Sequence, residues 1–139
     1  MKGLRFLLSG LILIGFFSSC SKTRDLESTQ PIVGKWVSTA VYAEDAGQFN
    51  WVASNGFREF LTFYPDARFN IFTDVPGGSG TYSYNNPARV LKLLFQDANG
   101  GVTNEESREV EKIDDRKMTV ALFSPQGKLV GKVAYERID

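Results

Sequence analysis

Apolar and polar residues alternate with a period of two along most of this chain, and no stretch after residue 30 keeps apolar positions at i, i+3, i+4 and i+7. Successive side chains on a strand point to opposite faces, so the alternation predicts half-buried strands rather than helices. Eight runs carry it: 33–42, 59–64, 68–74, 79–85, 90–97, 102–113, 117–123 and 128–137. The breaks between them have a chemistry of their own. In Tyr64-Pro65-Asp66-Ala67 the proline presets φ for a type I turn, and Pro76-Gly77-Gly78 reads as a glycine-permitted turn. Asn85-Asn86-Pro87, Asn99-Gly100-Gly101, Asp114-Asp115-Arg116 and Pro125-Gln126-Gly127 supply further turn residues.

Such short gaps require antiparallel neighbours, because a parallel crossover needs a dozen residues or more. Eight consecutive antiparallel strands make a meander, and closing it into an up-and-down β-barrel removes its exposed edges. The fold class expected is therefore all-β, an eight-stranded antiparallel up-and-down barrel. One connection is out of scale. Residues 43–58 form a sixteen-residue link between the first two strands, and they carry Phe49, Trp51 and Phe57 among Gly, Gln, Asn and Ser. Long loops in compact domains are often functional, and three aromatics need burial in the core or over a cavity.

The amino-terminal end follows another pattern. Lys2 and Arg5 precede an apolar run over residues 6–17, broken only by Ser9, Gly10 and Gly15. Twelve helical residues span about 18 Å, short of the roughly 30 Å hydrocarbon core, which suits an export signal rather than a membrane span. Ser18 and Ser19 then stand directly before Cys20, the chain's single cysteine. In this order of features the segment resembles a bacterial lipoprotein signal, with Ser18-Ser19-Cys20 as its lipobox. The resemblance implies removal of residues 1–19, lipid attachment at Cys20 and a membrane anchor. Cleavage also removes Lys2 and Arg5, leaving two more acidic than basic side chains. Residues 20–30 read as the lipidated cysteine and a flexible tether, and 31–139 as the domain. The expected location is the cell envelope, lipid-anchored. By lipoprotein sorting rules, Ser21 after the cysteine favours the outer over the inner membrane; the leaflet faced is left open.

Composition narrows the chemistry. Sixteen basic residues balance sixteen acidic ones, so nothing points to nucleic acid, which needs a cationic surplus. The chain has no His, which removes the commonest general base and zinc ligand. One Cys cannot close an internal disulfide or build a thiolate cluster. The close carboxylate pairs are Asp114-Asp115 and Glu105-Glu106. Neighbours on a strand face opposite ways, so a turn and a solvated acidic face explain these pairs better than catalysis does. The acidic groups also lack calcium-loop spacing. No catalytic residue, metal site or cofactor is expected, and the protein reads as a non-enzyme.

The order of motifs across the domain carries a second resemblance. Gly34-Lys35-Trp36 opens it, and Leu61-Thr62-Phe63-Tyr64-Pro65-Asp66-Ala67-Arg68-Phe69 follows. Gly80-Thr81-Tyr82, Leu91-Lys92-Leu93, Val110-Glu111-Lys112-Ile113, Met118-Thr119-Val120 and Tyr135-Glu136-Arg137 come after in that sequence. Together they resemble lipocalins, and more closely the small lipocalin-like lipoprotein domains of Gram-negative bacteria. One position departs from that pattern: Asp66-Ala67 stands where the family usually has Asp-Gly. The resemblance implies that the Trp36 indole plugs one end of the barrel with Arg137 packed over it, a structural pair. It also implies that the first loop closes over the other end.

Two functional readings stay open. In the first, the barrel holds a small hydrophobic or aromatic ligand, with Phe49, Trp51 and Phe57 at the mouth and Tyr82 and Tyr84 as polar-tipped walls. In the second, Phe69, Ile71, Tyr82, Tyr84, Leu91, Leu93, Phe95, Val120 and Leu122 fill the interior, and the lipoprotein docks or inhibits a protein partner of unknown identity.

Overall fold

The computed structural model describes residues 31–139, apart from 57 and 75 and the side chain of Pro76. The lipobox, Cys20 and the tether lie outside the described residues, as does Phe57. Nine strands follow one another: β1 Gly34–Asp45, β2 Gln48–Ala53, β3 Phe60–Phe63, β4 Arg68–Phe72, β5 Pro76–Asn85, β6 Val90–Gln96, β7 Val102–Ile113, β8 Lys117–Phe123 and β9 Leu129–Arg137. All pairings are antiparallel, and β9 returns to β1, so β1 and β3–β9 close an eight-stranded up-and-down barrel.

The additional strand, β2, corrects the expected loop over 43–58. β1 runs on to Asp45 and turns through Ala46 and Gly47, whose φ values are 51° and 81°. Positive φ at both central residues is the type I′ geometry that joins tightly twisted strands. β2 then pairs back on residues 40–45 of β1, in register from Ala40↔Ala53 to Asp45↔Gln48. One edge of β1 is thus shared by β3, at Gly34 to Val37, and β2, while the other edge lies on β9. A bulge between Ser38 and Ala40 lets one strand serve both neighbours.

Pro76-Gly77-Gly78, expected as a turn, instead begins β5. Proline is tolerated at a strand's first residue, and the register shift between Ile71 and Phe72 leaves Gly77 as the bulged residue. The other turns follow the sequence chemistry. Asp114 Oδ1 accepts the amides of Arg116 and Lys117 at 2.9 and 2.7 Å, which lowers the Asp114 carboxyl pKa. Asp97 Oδ1 likewise takes the amides of Asn99 and Gly101.

Inside the barrel the alternation places Trp36, Leu61, Phe63, Phe69, Leu91 and Leu93 among the buried residues, joined by Val110, Met118, Val120 and Tyr135. Phe63 meets Tyr82, and Phe69 meets Phe95, edge to face with centroids 4.9 and 5.1 Å apart.

Candidate ligand-binding site

The two ends of the barrel differ in chemistry. At the end where β1 starts and β9 finishes, the Trp36 Nε1–H donates to the Ile32 carbonyl at 2.8 Å and the side chain is fully buried. The Arg137 guanidinium lies 4.3 Å over the indole. Its Nη1, Nη2 and Nε donate to the carbonyls of Val33, Pro31 and Asp115 at 2.6, 2.8 and 2.8 Å. Arg137 therefore ties the entering chain to the β7–β8 turn while capping Trp36. Gly34 makes room for it: a Cβ there would collide with Arg137 Nη1, and its φ of 137° suits glycine alone. This end is closed.

Tyr82 and Tyr84 belong to the closed end, which corrects their expected place beneath the mouth. Both lie in the second half of β5, which runs toward Trp36. The Tyr82 hydroxyl donates to the Tyr64 carbonyl at 2.9 Å, and the Tyr84 hydroxyl reaches Asn86 Oδ1 at 3.2 Å. Burial raises the pKa of both phenols, with Asp66 adding to the effect at Tyr82. They are core residues with satisfied tips.

Phe49 and Trp51 come together, but not as a lid. Tyr42 stacks on Phe49 with centroids 5.3 Å apart and lies 5.2 Å from Trp51 at a tilt. The bulge in β1 puts Val41 opposite core-packed Val133 and Tyr42 opposite Lys132, so this trio shares the hairpin's outer face. Lys132 sits 5.7 Å over the Tyr42 ring. Trp51 stays 48% exposed.

The opposite, open end brings Glu59 and Arg108, which the sequence did not single out, together with Glu106. β7 turns Glu106, Arg108 and Val110 inward on alternate residues, so Glu106 is not part of a solvated acidic face. Arg108 is 8% exposed although charged. Its Nε and Nη2 donate to Glu106 Oε2 at 3.2 and 2.9 Å, and its Nη1 lies 3.5 Å from Glu59 Oε1. The buried Tyr135 hydroxyl donates to that same Glu59 oxygen at 2.6 Å. Burial alone would lower the Arg108 pKa; Tyr135 and the Glu59 and Glu106 carboxylates outweigh it, so the guanidinium stays charged. Desolvation first, and the Glu59 carboxylate second, push the Tyr135 phenol well above its ordinary range.

Above this cluster a cleft of about 420 Å³ opens between β4, β5, β6 and β7. Ile71 and Phe95 form its apolar wall, Gly77 and Gly78 present bare backbone, and Asn104, Glu106 and Arg108 line the β7 side. A second depression of about 570 Å³ lies between β7, β8 and β9 and shares Glu106 and Arg108. Among the described residues no three His, Cys, Asp or Glu side chains gather as a metal site.

The chain matches no protein-family model and no curated protein. Among solved structures it resembles a lipocalin-like protein from Bacteroides uniformis, at 16% sequence identity and a TM-score of 0.50 over 78% of this chain and 99% of that one. At that identity the likeness concerns architecture: the chain folds as a lipocalin-like, closed eight-stranded antiparallel β-barrel.

Proposed function

We propose that this protein is a lipid-anchored envelope lipoprotein, not an enzyme, whose barrel binds a small molecule in the open-end cleft. The observation that carries the reading is the cleft itself, about 420 Å³ with an apolar wall and a few convergent polar groups over a buried charge. The anchor rests on the ordered signal from Lys2 to Cys20. The two fit together, since the described chain enters the barrel at the closed end, away from the cleft. Ser21 after the cysteine, by resemblance to lipoprotein sorting rules, favours the outer membrane over the inner.

Native mass spectrometry of the protein purified from its own envelope tests the binding role. A co-purified small molecule is expected, and Asn104→Trp, which fills the cleft from an exposed position facing Phe95, should lose it. Purification without any ligand, or a ligand indifferent to Asn104→Trp, overturns this assignment. The protein-docking reading would then gain, because the hairpin leaves Trp51 and Val52 48% and 58% exposed.

A further inference from the structure

The charged cluster under the cleft is presented in one direction. Arg108 lies deepest, with its side chain 8% exposed, while the side chains of Glu59 and Glu106 are 26% and 38% exposed. The guanidinium donors are already committed, Nε and Nη2 to Glu106 and Nη1 toward Glu59. Tyr135 spends its one proton on Glu59 Oε1. Glu59 Oε2 and Glu106 Oε1 accept no hydrogen bond from the described residues. What the cleft offers a visitor is therefore carboxylate oxygen, and the formal sum over the three charged side chains is one negative charge. The remaining polar residues of the wall, Thr73, Ser79, Gln96, Thr103 and Asn104, are neutral.

The opposite wall is built for an apolar body. A Cβ on Gly77 would come within 2.8 Å of Ile71 Cγ2, and one on Gly78 within 2.9 Å of the Phe95 ring. The bare backbone of the β5 bulge thus packs closely on buried Ile71 and half-buried Phe95, with no side chain of its own between them and the cleft. An anionic ligand would meet two carboxylates and gain Arg108 only by breaking its existing pairs, which leaves a carboxylate uncompensated in a partly buried site. A cation meets the two carboxylate oxygens that no described residue occupies and leaves the Arg108 pairs intact. The net negative charge of the cluster outweighs the Arg108 cation, at a depth where screening by water is reduced.

We infer that the cleft takes a cationic amphiphile, with an ammonium or guanidinium head on the cleft side of Glu59 and Glu106, above the Arg108 that bridges them, and a flat apolar body against Ile71 and Phe95. The inference rests on the reading of the cleft as the binding site and names its ligand class.

Three probes of one shape and different charge test it: phenethylammonium, 3-phenylpropionate and 2-phenylethanol, titrated calorimetrically into the full-length chain in neutral detergent. Phenethylammonium should bind at least about tenfold tighter than either of the others, and added salt should weaken it. Glu106→Gln and Glu59→Gln should each weaken it about tenfold while 2-phenylethanol is unaffected. Should either variant fail to fold, the salt dependence and charge ranking of the unmodified protein still decide. Equal or tighter binding of the carboxylate or the alcohol overturns the cation assignment and leaves the cleft reading standing. Binding of none of the three also overturns it, and the co-purification experiment then judges the cleft on its own.

Discussion

At the residue scale, the closed end shows why a glycine precedes the tryptophan. Arg137 can cap Trp36 and bind three carbonyls only because Gly34 has no side chain in its path. Gly34→Ala should therefore destabilise through both φ strain and displacement of the guanidinium, by about 2–4 kcal/mol in urea unfolding. Trp36→Ala should cost about 3–5 kcal/mol as a full deletion from a packed core. Arg137→Lys keeps the charge but not the planar fork, so a loss of about 1–3 kcal/mol is expected. An unchanged denaturation midpoint in these variants would remove the plug's structural role. Tyr135 adds a pH signature. Its pKa is raised on folding, so its contribution is complete below the ordinary tyrosine value near 10 and declines as pH rises from there toward the folded value. The stability gap between the native protein and Tyr135→Phe should accordingly narrow in alkaline unfolding experiments above about pH 10. A gap that stays constant or widens would contradict the buried Tyr135–Glu59 bond.

At the scale of elements, the barrel strands were legible because turn chemistry and alternation agreed. The runs 102–113 and 117–123 coincide with β7 and β8, separated by the Asp114 turn that the sequence advertises. The hairpin of β1 and β2 was hidden by its turn. Type I′ turns usually display Asn-Gly or Asp-Gly, whereas here an alanine occupies the first left-handed position, so Phe49, Trp51 and Ala53 looked like loop residues despite alternating. Ala46→Asn should stabilise the protein by about 0.5–1 kcal/mol, measured as a rise in thermal midpoint. A fall would mean the turn is not type I′. Ala67, at a φ of 65° where the related turn usually has glycine, marks the same strain after β3. The site was less legible. Residues 104–109 are all polar, so no apolar stripe marks which of Glu105 and Glu106 faces inward; only the Arg108 and Val110 alternation leading into the core settles it. Tyr82 and Tyr84 could have been placed by strand parity: a meander that starts at the Trp36 end brings the second half of β5 back to that end.

At the scale of the whole molecule, the barrel has a polarity that the proposed anchor would translate into orientation. β1 begins at the closed end, so a lipid on Cys20, separated from Pro31 by ten residues, would hold that end nearer the membrane. Cys20→Ser should then abolish labelling by radioactive fatty acid and leave an uncleaved precursor; labelling that persists would disprove the anchor. The two tryptophans report the orientation, since the chain has only Trp36 and Trp51 and they lie toward opposite ends of β1. In lipidated protein reconstituted into vesicles with dansyl-headgroup lipid, a Trp51→Phe variant, emitting from Trp36 alone, should transfer energy to the lipid more efficiently. A Trp36→Phe variant, checked for native fold and emitting from Trp51, should transfer less. The reverse order would place the aromatic hairpin against the lipid and the cleft beside it. That result would favour a ligand drawn from the bilayer over one arriving from the aqueous side.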